Sequence, residues 1–167
     1  MFSPRLLLVA SLLVSNSCMA STLPPKSSEG LSQLIRDIAG AGSISRLRME
    51  QVFQTAFIEA QGTKYLRVFE AQNVRYGTLE FERISYKDPI YGANFGPRMT
   101  AMLKGKCLQR VAIMSEFKSL AITQTPNGHS MEEETVYSRD YPRGKLSFGF
   151  AEAAPDCLRS ITIAQPK

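Results

Sequence analysis

Side chains that commonly carry catalysis are scarce in this chain. His129 is the only histidine among 167 residues, and it directly follows the pair Asn127-Gly128. General acid–base and nucleophilic catalysis lean on histidine, and Ser130 is not made part of a triad merely by lying beside it. A loop histidine either contacts a partner or serves as a polar hairpin residue, and both interpretations stay open. The sequence contains no G-x-S-x-G elbow and no glycine-rich phosphate loop.

Carboxylates offer a second kind of chemistry. Glu80 and Glu82 alternate along a predicted strand, at a spacing compatible with the about 5–10 Å that separates the two acids of a glycosidase. Glu132, Glu133 and Glu134 alternate in direction if they lie on a strand, so they do not converge on a cation. One histidine and two pairing cysteines do not make the usual zinc sites. We therefore expect no catalytic residue, no metal and no cofactor.

Three cysteines, Cys18, Cys107 and Cys157, carry the remaining reactive groups. Two thiols in an oxidising compartment usually pair, and neither Cys107 nor Cys157 has a histidine nearby to activate it. We expect a structural disulfide between them. It would close a loop of about fifty residues and stabilise the fold by roughly 4 kcal/mol in the chain-entropy model.

Residues 1–20 are predicted to be a signal peptide. Arg5 precedes the apolar run Leu6–Val14, and small residues follow up to Ala20, where we expect cleavage. A transmembrane anchor would need roughly 18 or more apolar residues, so none is expected. The alternative is a lipid anchor at Cys18, although Ser15 stands where lipoprotein processing prefers an aliphatic residue. The predicted location is the periplasm or outside the cell.

The charges of the chain are mildly basic and evenly mixed. The formal net charge is +5, and lysines and arginines are interleaved with acids along the sequence. Nucleic-acid binding normally needs a clustered basic face, so no nucleic-acid partner is expected. Mild basicity indicates a solvated surface with some attraction to anionic envelope material.

The first part of the mature chain is predicted to be helical. Residues 21–28 form a flexible leader, and residues 29–167 form a single globular domain. A helix begins near Glu29 and ends at Gly40. A second helix, capped by Ser43 or Ser45, is expected to continue to Ala60. Its apolar positions share a helical spacing: Met49, Val52, Phe53, Ala56, Phe57 and Ala60.

From residue 64 onward the period changes to that of strands. The alternation slips at Arg83-Ile84, which indicates a bulge. Residues 107–120 are ambiguous between helix and strand, with helix favoured, and Asn127-Gly128 marks a hairpin turn. The predicted fold class is α+β, with N-terminal helices packed on a mainly antiparallel β-sheet and one disulfide.

A short motif suggests an internal duplication. Gly77-x-Leu79-x-Phe81 recurs as Gly144-x-Leu146-x-Phe148, which would divide the domain into repeat units 43–104 and 105–167. A chance match between two amphipathic strands is the alternative. A duplicated chain would be similar in shape to the tandem helix-plus-sheet modules of β-lactamase inhibitor proteins, although a shared fold says little about function.

Exposed loops are the remaining candidates for function. Aromatic residues and arginine in glycine- and proline-framed loops make buried anchors when they dock a partner, or they fold back to cover the sheet. The expected function is that of an exported, non-enzymatic binding protein, an inhibitor or immunity protein blocking a secreted or envelope-active enzyme. The alternatives are a structural envelope component, a small-ligand carrier and, third, a carboxylate-dependent hydrolase. The predicted partner-binding residues are Tyr91, Asn94, Phe95, His129, Tyr141 and Arg143.

Overall fold

The computed structural model of the protein describes residues 29–40 and 42–167. The predicted signal peptide, the leader and Cys18 lie outside these ranges. Within them, no helix is long and apolar enough to cross a membrane.

Helix α1 comprises Glu29–Ala39, as its pattern predicts. Its buried side chains Leu31, Leu34, Ile35 and Ile38 follow the helical spacing and are at most 2% exposed. The backbone N–H of Gly40 donates to the carbonyl oxygen of Arg36, 2.7 Å away, at the end of the helix. The first predicted helix is therefore confirmed.

Helix α2 comprises Arg46–Phe53 and is shorter than predicted. Ser45 caps it, since its hydroxyl accepts from the Arg48 N–H at 3.3 Å. Gln54 then adopts the left-handed conformation, with φ 49°, and the chain leaves the helix. The expected extension to Ala60 is wrong. Phe57 is buried, as its place in the apolar pattern suggested, but it reaches the core from an irregular segment instead of a helix.

Eight strands form one antiparallel sheet in the order β1-β2-β3-β4-β8-β7-β6-β5. The first four strands make one half of the sheet and the last four make the other, and the closing strands of the two halves, β4 and β8, pair at the centre. A short helix, α3, lies between the two sets of four. The bounds are β1 Ile58–Thr63, β2 Leu66–Tyr76, β3 Leu79–Pro89, β4 Arg98–Lys104, α3 Arg110–Glu116, β5 Ala121–Gln124, β6 Glu134–Tyr141, β7 Gly144–Ala151 and β8 Ser160–Ala164.

One hydrophobic core joins side chains from the helices and from alternate positions of the strands. The ring centroids of Phe53 in α2 and Phe81 in β3 are 5.8 Å apart. In the second half, Phe117 at the end of α3 lies 4.8 Å from Phe148 in β7. Positions of the opposite parity are more exposed and mostly polar, with a few apolar residues such as Met102 and Val136 among them. The alternation therefore gives the sheet an apolar face and a polar face.

Several local predictions for the strand region are confirmed. The β3–β4 register shifts between Phe81 and Arg83, which places the expected bulge at Glu82. Residues 110–116 are helical, as favoured. Strands β5 and β6 pair as expected around Asn127-Gly128, although residues 125–133 connect them instead of a tight turn.

The disulfide between Cys107 and Cys157 is present, with 50 residues separating the two cysteines. It joins the segment before α3 to the β7–β8 connection. Beside it, the N–H of Leu158 donates to the carbonyl oxygen of Leu108 at 2.9 Å. The crosslink therefore fixes α3 to the start of the central strand β8. A structural disulfide is consistent with the predicted oxidising location.

Candidate functional site

A row of small hydroxyl side chains crosses the polar face of the sheet. Its members are cross-strand partners, so each strand from β6 to β3 contributes one. The Ser138 hydroxyl donates to Ser147 at 2.8 Å, and the hydroxyls of Thr100 and Thr162 are 3.1 Å apart. The hydroxyls within each of these two pairs thus hold one another in position. The row comprises Ser138, Ser147, Thr162, Thr100 and Ser85.

Three members of the hydroxyl row, Ser147, Thr162 and Thr100, form part of the floor of a groove of about 480 Å³. Gly149 of β7 lies next along the floor, and its missing side chain leaves room for the carboxylate of Glu134. Glu134 extends from β6 across β7 to accept a hydrogen bond of 2.6 Å from the Ser160 hydroxyl in β8. A hydrogen bond to a charged acceptor is stronger than a neutral one, so this contact fixes one wall of the groove.

The β5–β6 loop forms the wall beside Glu134. The carboxylate of Glu133 accepts hydrogen bonds from the backbone N–H groups of Asn127 and Gly128, the latter at 3.1 Å. The main chain of the same loop is tied to residues 152 and 153 after β7 by two backbone hydrogen bonds of 2.9 Å. Glu132 and Glu134 line this part of the groove, and Arg98 lines its other part. The groove therefore presents both signs of charge around neutral hydroxyls.

The predicted partner-binding residues lie at the two ends of the sheet. Tyr91, Asn94 and Phe95 belong to the β3–β4 loop, and Tyr91 is fully exposed. Arg143 is in the β6–β7 turn, which the strand pairing places at the same end as the β3–β4 loop. His129 is in the β5–β6 loop at the opposite end. The fold thus brings these four residues, and Tyr141 at the end of β6, to one end and separates His129 from them.

Tyr141 differs from the other predicted loop residues. It is partly buried and packs against the hydrophobic core. Its side chain also lines a small recess that includes Ile44 and Ile163. The sequence left open whether the loop aromatics dock a partner or fold back onto the sheet. The ring of Tyr141 folds back and covers the core.

The two glutamates considered for hydrolysis each have an arginine partner. Glu80 pairs with Arg75 at 2.5 Å, and Glu82 pairs with Arg159 at 3.0 Å. Neither carboxylate lines the groove. In the described part of the chain, no group of His, Cys, Asp and Glu is arranged to hold a metal ion.

The two tyrosines with strongly shifted pKa values lie away from the groove. Burial raises the pKa of Tyr86 to about 12, and the nearby Asp88 carboxylate adds to the shift. Burial likewise raises the pKa of Tyr76 to about 12, supported by its hydrogen bond to Asp37. Since both rings pack in or against the core, these shifts reflect structural burial.

The hydroxyl row and the groove were missed by sequence reasoning. The sequence does contain one sign of the hydroxyl row, because Thr100 and Thr162 each lie between two buried apolar residues of a strand. This alternation predicts that both threonines lie on the face opposite the core. Their alignment depends on the pairing of β4 with β8 across about sixty residues of chain, which no local pattern specifies.

Comparison with known proteins gives no relative for this chain. No family model matches it, and no curated protein or solved structure is significantly similar.

Proposed function

We propose that this chain is an exported, non-enzymatic binding protein that acts as an inhibitor or immunity protein of a secreted or envelope-active enzyme. We propose further that the partner docks on the polar face of the sheet. The observation that supports this most is the groove on that face, which extends from β4 at the centre of the sheet to β5 at its edge and is walled by Arg98 on one side and by Glu132 and Glu134 on the other. The three described helices are then assigned to the apolar face.

A tandem organisation of two helix-plus-sheet units is part of the proposal. The strand order supports it, because each set of four consecutive strands occupies one half of the sheet. The recurring motif supports it as well. Leu79 and Phe81 lie in the third strand of the first set, and Leu146 and Phe148 in the third strand of the second, all of them buried. Two such units side by side make a wide face from a short chain.

The size of the polar face fits a protein partner. Seven inter-strand spacings of about 4.8 Å make the sheet about 34 Å wide, and five residues of each strand make the face about 17 Å long. The product is about 600 Å², whereas a standard interface buries about 800 Å² on each partner. The β5–β6 loop and the rim residue Arg143 would supply the remainder. His129, on the same loop, keeps its predicted role in partner binding.

The chemistry of the face fits a polar partner surface. The hydroxyls of Thr162 and Ser147 can donate and accept hydrogen bonds. Charges of both signs at the groove walls would fix the orientation of the partner by complementarity.

The test replaces Thr162, at the centre of the hydroxyl row, by arginine. The mature chain beginning at Ser21 is immobilised in its oxidised form and used to retain proteins from envelope and culture-supernatant extracts. We expect one stoichiometric enzyme whose activity falls on binding, and we expect Thr162→Arg to abolish its retention. Val111→Arg is the matched control, because Val111 is 75% exposed on α3 and outside the groove. Equal retention by Thr162→Arg and the wild type would contradict docking on this face.

The groove also supports a second candidate, a small-ligand carrier. Its volume of about 480 Å³ lies within the roughly 300–1,000 Å³ of small-molecule sites. A carrier would bind a polar compound in a screen, would lose it on Thr162→Arg, and would retain no protein. A hydrolase, the third candidate, would lose turnover of a wall or glycan substrate on Glu80→Gln or Glu82→Gln.

A further inference from the structure

The two ends of the sheet differ in their balance of charge. We define the basic end by the β1–β2 turn, the β3–β4 loop, the β6–β7 turn and the strand residues beside them. Among the described residues of that end, the carboxylates are Asp88 and Asp140, and Asp88 is paired with Arg67 at 2.5 Å. The exposed basic residues of the basic end include Lys64, Lys87, Arg98, Arg143 and Lys145.

We call the opposite end acidic because its carboxylates outnumber its basic groups. Glu132, Glu133 and Glu134 lie in or beside the β5–β6 loop, and Glu152 and Asp156 lie in the β7–β8 connection. These residues are interleaved with basic ones along the sequence. The antiparallel strands bring these carboxylates together at one end, where Lys104, Lys106 and Arg159 also lie, and leave an excess of basic groups at the other end. The difference gives the molecule an electrostatic direction along its strands.

The basic end also bears an apolar tip. Tyr65, Ile90, Tyr91 and Phe95 are 48, 37, 101 and 41% exposed. The N–H of Ile90 donates to the carbonyl oxygen of Tyr65 at 2.9 Å, which holds the β1–β2 turn against the β3–β4 loop. The Lys64 ammonium lies 4.8 Å from the centroid of the Tyr65 ring. The apolar tip therefore consists of two loops held together by a hydrogen bond. It presents two tyrosine rings, and the ammonium group of Lys64 lies beside one of them.

We propose that the basic end docks on the surface of an anionic phospholipid bilayer, with Ile90 and Tyr91 entering the headgroup region. Tyrosine rings and lysine side chains with apolar stems suit that interface, and basic residues around them are attracted to anionic headgroups. The flat surface of a bilayer can contact all the basic groups between the β1–β2 turn and the β6–β7 turn at once. A pocket on a protein partner would contact only the apolar tip. The acidic end then faces away from the negative surface.

This docking goes beyond the proposed function, and the two proposed surfaces share Arg98 and Arg143. The basic end lies at the ends of the strands, and among the described residues Arg98 is the one groove-lining residue that belongs to it. A bilayer at the basic end leaves the hydroxyls and the acidic wall of the groove free. The protein could therefore be held at the membrane while it binds an envelope-active partner.

The experiment is sedimentation with vesicles. The mature chain from Ser21, which lacks Cys18, is mixed with vesicles of phosphatidylcholine alone or with phosphatidylglycerol added. We expect binding only to the anionic vesicles, and weaker binding as salt rises. Lys64→Gln and Lys87→Gln should each lower the partition coefficient about fivefold, and Lys106→Gln, at the acidic end, is the matched control that should not.

The tip is tested in the same assay. Tyr91→Ser should lower binding to anionic vesicles, whereas Met131→Ser should not, although Met131 is 63% exposed on the β5–β6 loop. Failure to sediment with anionic vesicles at low salt would overturn the proposal. Equal losses for Lys106→Gln and Lys87→Gln would also overturn it, because attraction would then not be local to the basic end. Competition by soluble glycerol phosphate at the same phosphate concentration would indicate a phosphate site and contradict bilayer docking. Loss of a protein partner on Tyr91→Ser, with vesicle binding intact, would assign the tip to protein recognition.

Discussion

Gly149 provides a direct test of the groove geometry. A methyl group added there would meet the Glu134 carboxylate and the Ser160 hydroxyl, so Gly149→Ala must displace the side chain of Glu134. The displaced carboxylate loses its 2.6 Å hydrogen bond from Ser160. A hydrogen bond to a charged group contributes about 1.5–3 kcal/mol.

The expected cost is smaller than the full contribution of that hydrogen bond. Gly149 is not among the glycines with positive φ, so its backbone conformation is open to alanine. Alanine also lowers the conformational entropy of the unfolded chain, which stabilises the folded state by about 0.4–1 kcal/mol. Glu134 is also partly exposed, and its displaced carboxylate can be solvated. We therefore expect Gly149→Ala to lower the free energy of unfolding by about 1 kcal/mol, which corresponds to a Tm lower by about 2–4 °C.

The assay is urea unfolding followed by far-ultraviolet circular dichroism, because the chain has no tryptophan for fluorescence. The control is the same substitution in a Glu134→Ala background. There the carboxylate is absent and the Ser160 hydroxyl can rotate away, so Gly149→Ala should be neutral or stabilising by about 0.5 kcal/mol. The two backgrounds should differ by about 1.5 kcal/mol. Equal effects of Gly149→Ala in both would refute the placement of Glu134 across Gly149.

Three further outcomes are expected. Replacing Cys107 and Cys157 by serine should lower the free energy of unfolding by about 4 kcal/mol, since the freed loop spans 50 residues; urea unfolding that leaves the midpoint unchanged would contradict this. The pKa of Tyr86 is raised to about 12 from 10.0, so the folded state holds a proton that the unfolded state loses. Tyr86 should therefore lower the free energy of unfolding by about 2 kcal/mol as pH rises from 10 to about 12. Tyr86→Phe should remove that part of the dependence, measured by denaturant titration at each pH, and leave the part due to Tyr76, whose pKa is also raised to about 12. Tyr141→Ala should cost about 2 kcal/mol through lost packing, whereas Phe95→Ala, at an exposed loop position, should cost less than about 0.5 kcal/mol, as thermal melts would show.

Local patterns in the sequence predict much of the fold. Helix α1 follows from the spacing of its buried residues, because a single amphipathic stripe has no competing interpretation. The bulge at Glu82 follows from the slip in alternation, since one extra residue must restore the apolar phase. The disulfide follows from counting the cysteines that would remain after cleavage. Each of these depends on neighbours in sequence.

The error in α2 shows where local patterns stop. Ala56, Phe57 and Ala60 continue the helical stripe of Met49 and Phe53, yet Ile58–Thr63 forms β1. Strand pairing with β2 overrides a helical spacing whose residues are compatible with either structure. The residue that ends the helix is Gln54 in the left-handed conformation, and glutamine carries no signal for that geometry.

The candidate site was less predictable than the fold. Glu134 and Ser160 meet across β7 only because Gly149 has no side chain. The hydroxyl row requires four strand pairings to be in register. The difference in charge between the two ends also arises from the antiparallel strand order, since acidic and basic residues are interleaved along the chain.

The most direct measurement is retention of a partner by the immobilised mature chain and by its Thr162→Arg variant. If the polar face binds an enzyme, the wild type and Val111→Arg should retain one stoichiometric protein whose activity falls on binding, and Thr162→Arg should retain none. Retention of that protein to the same extent by all three forms would contradict binding on the polar face. Retention of no protein by the wild type at any salt concentration would contradict the inhibitor function itself.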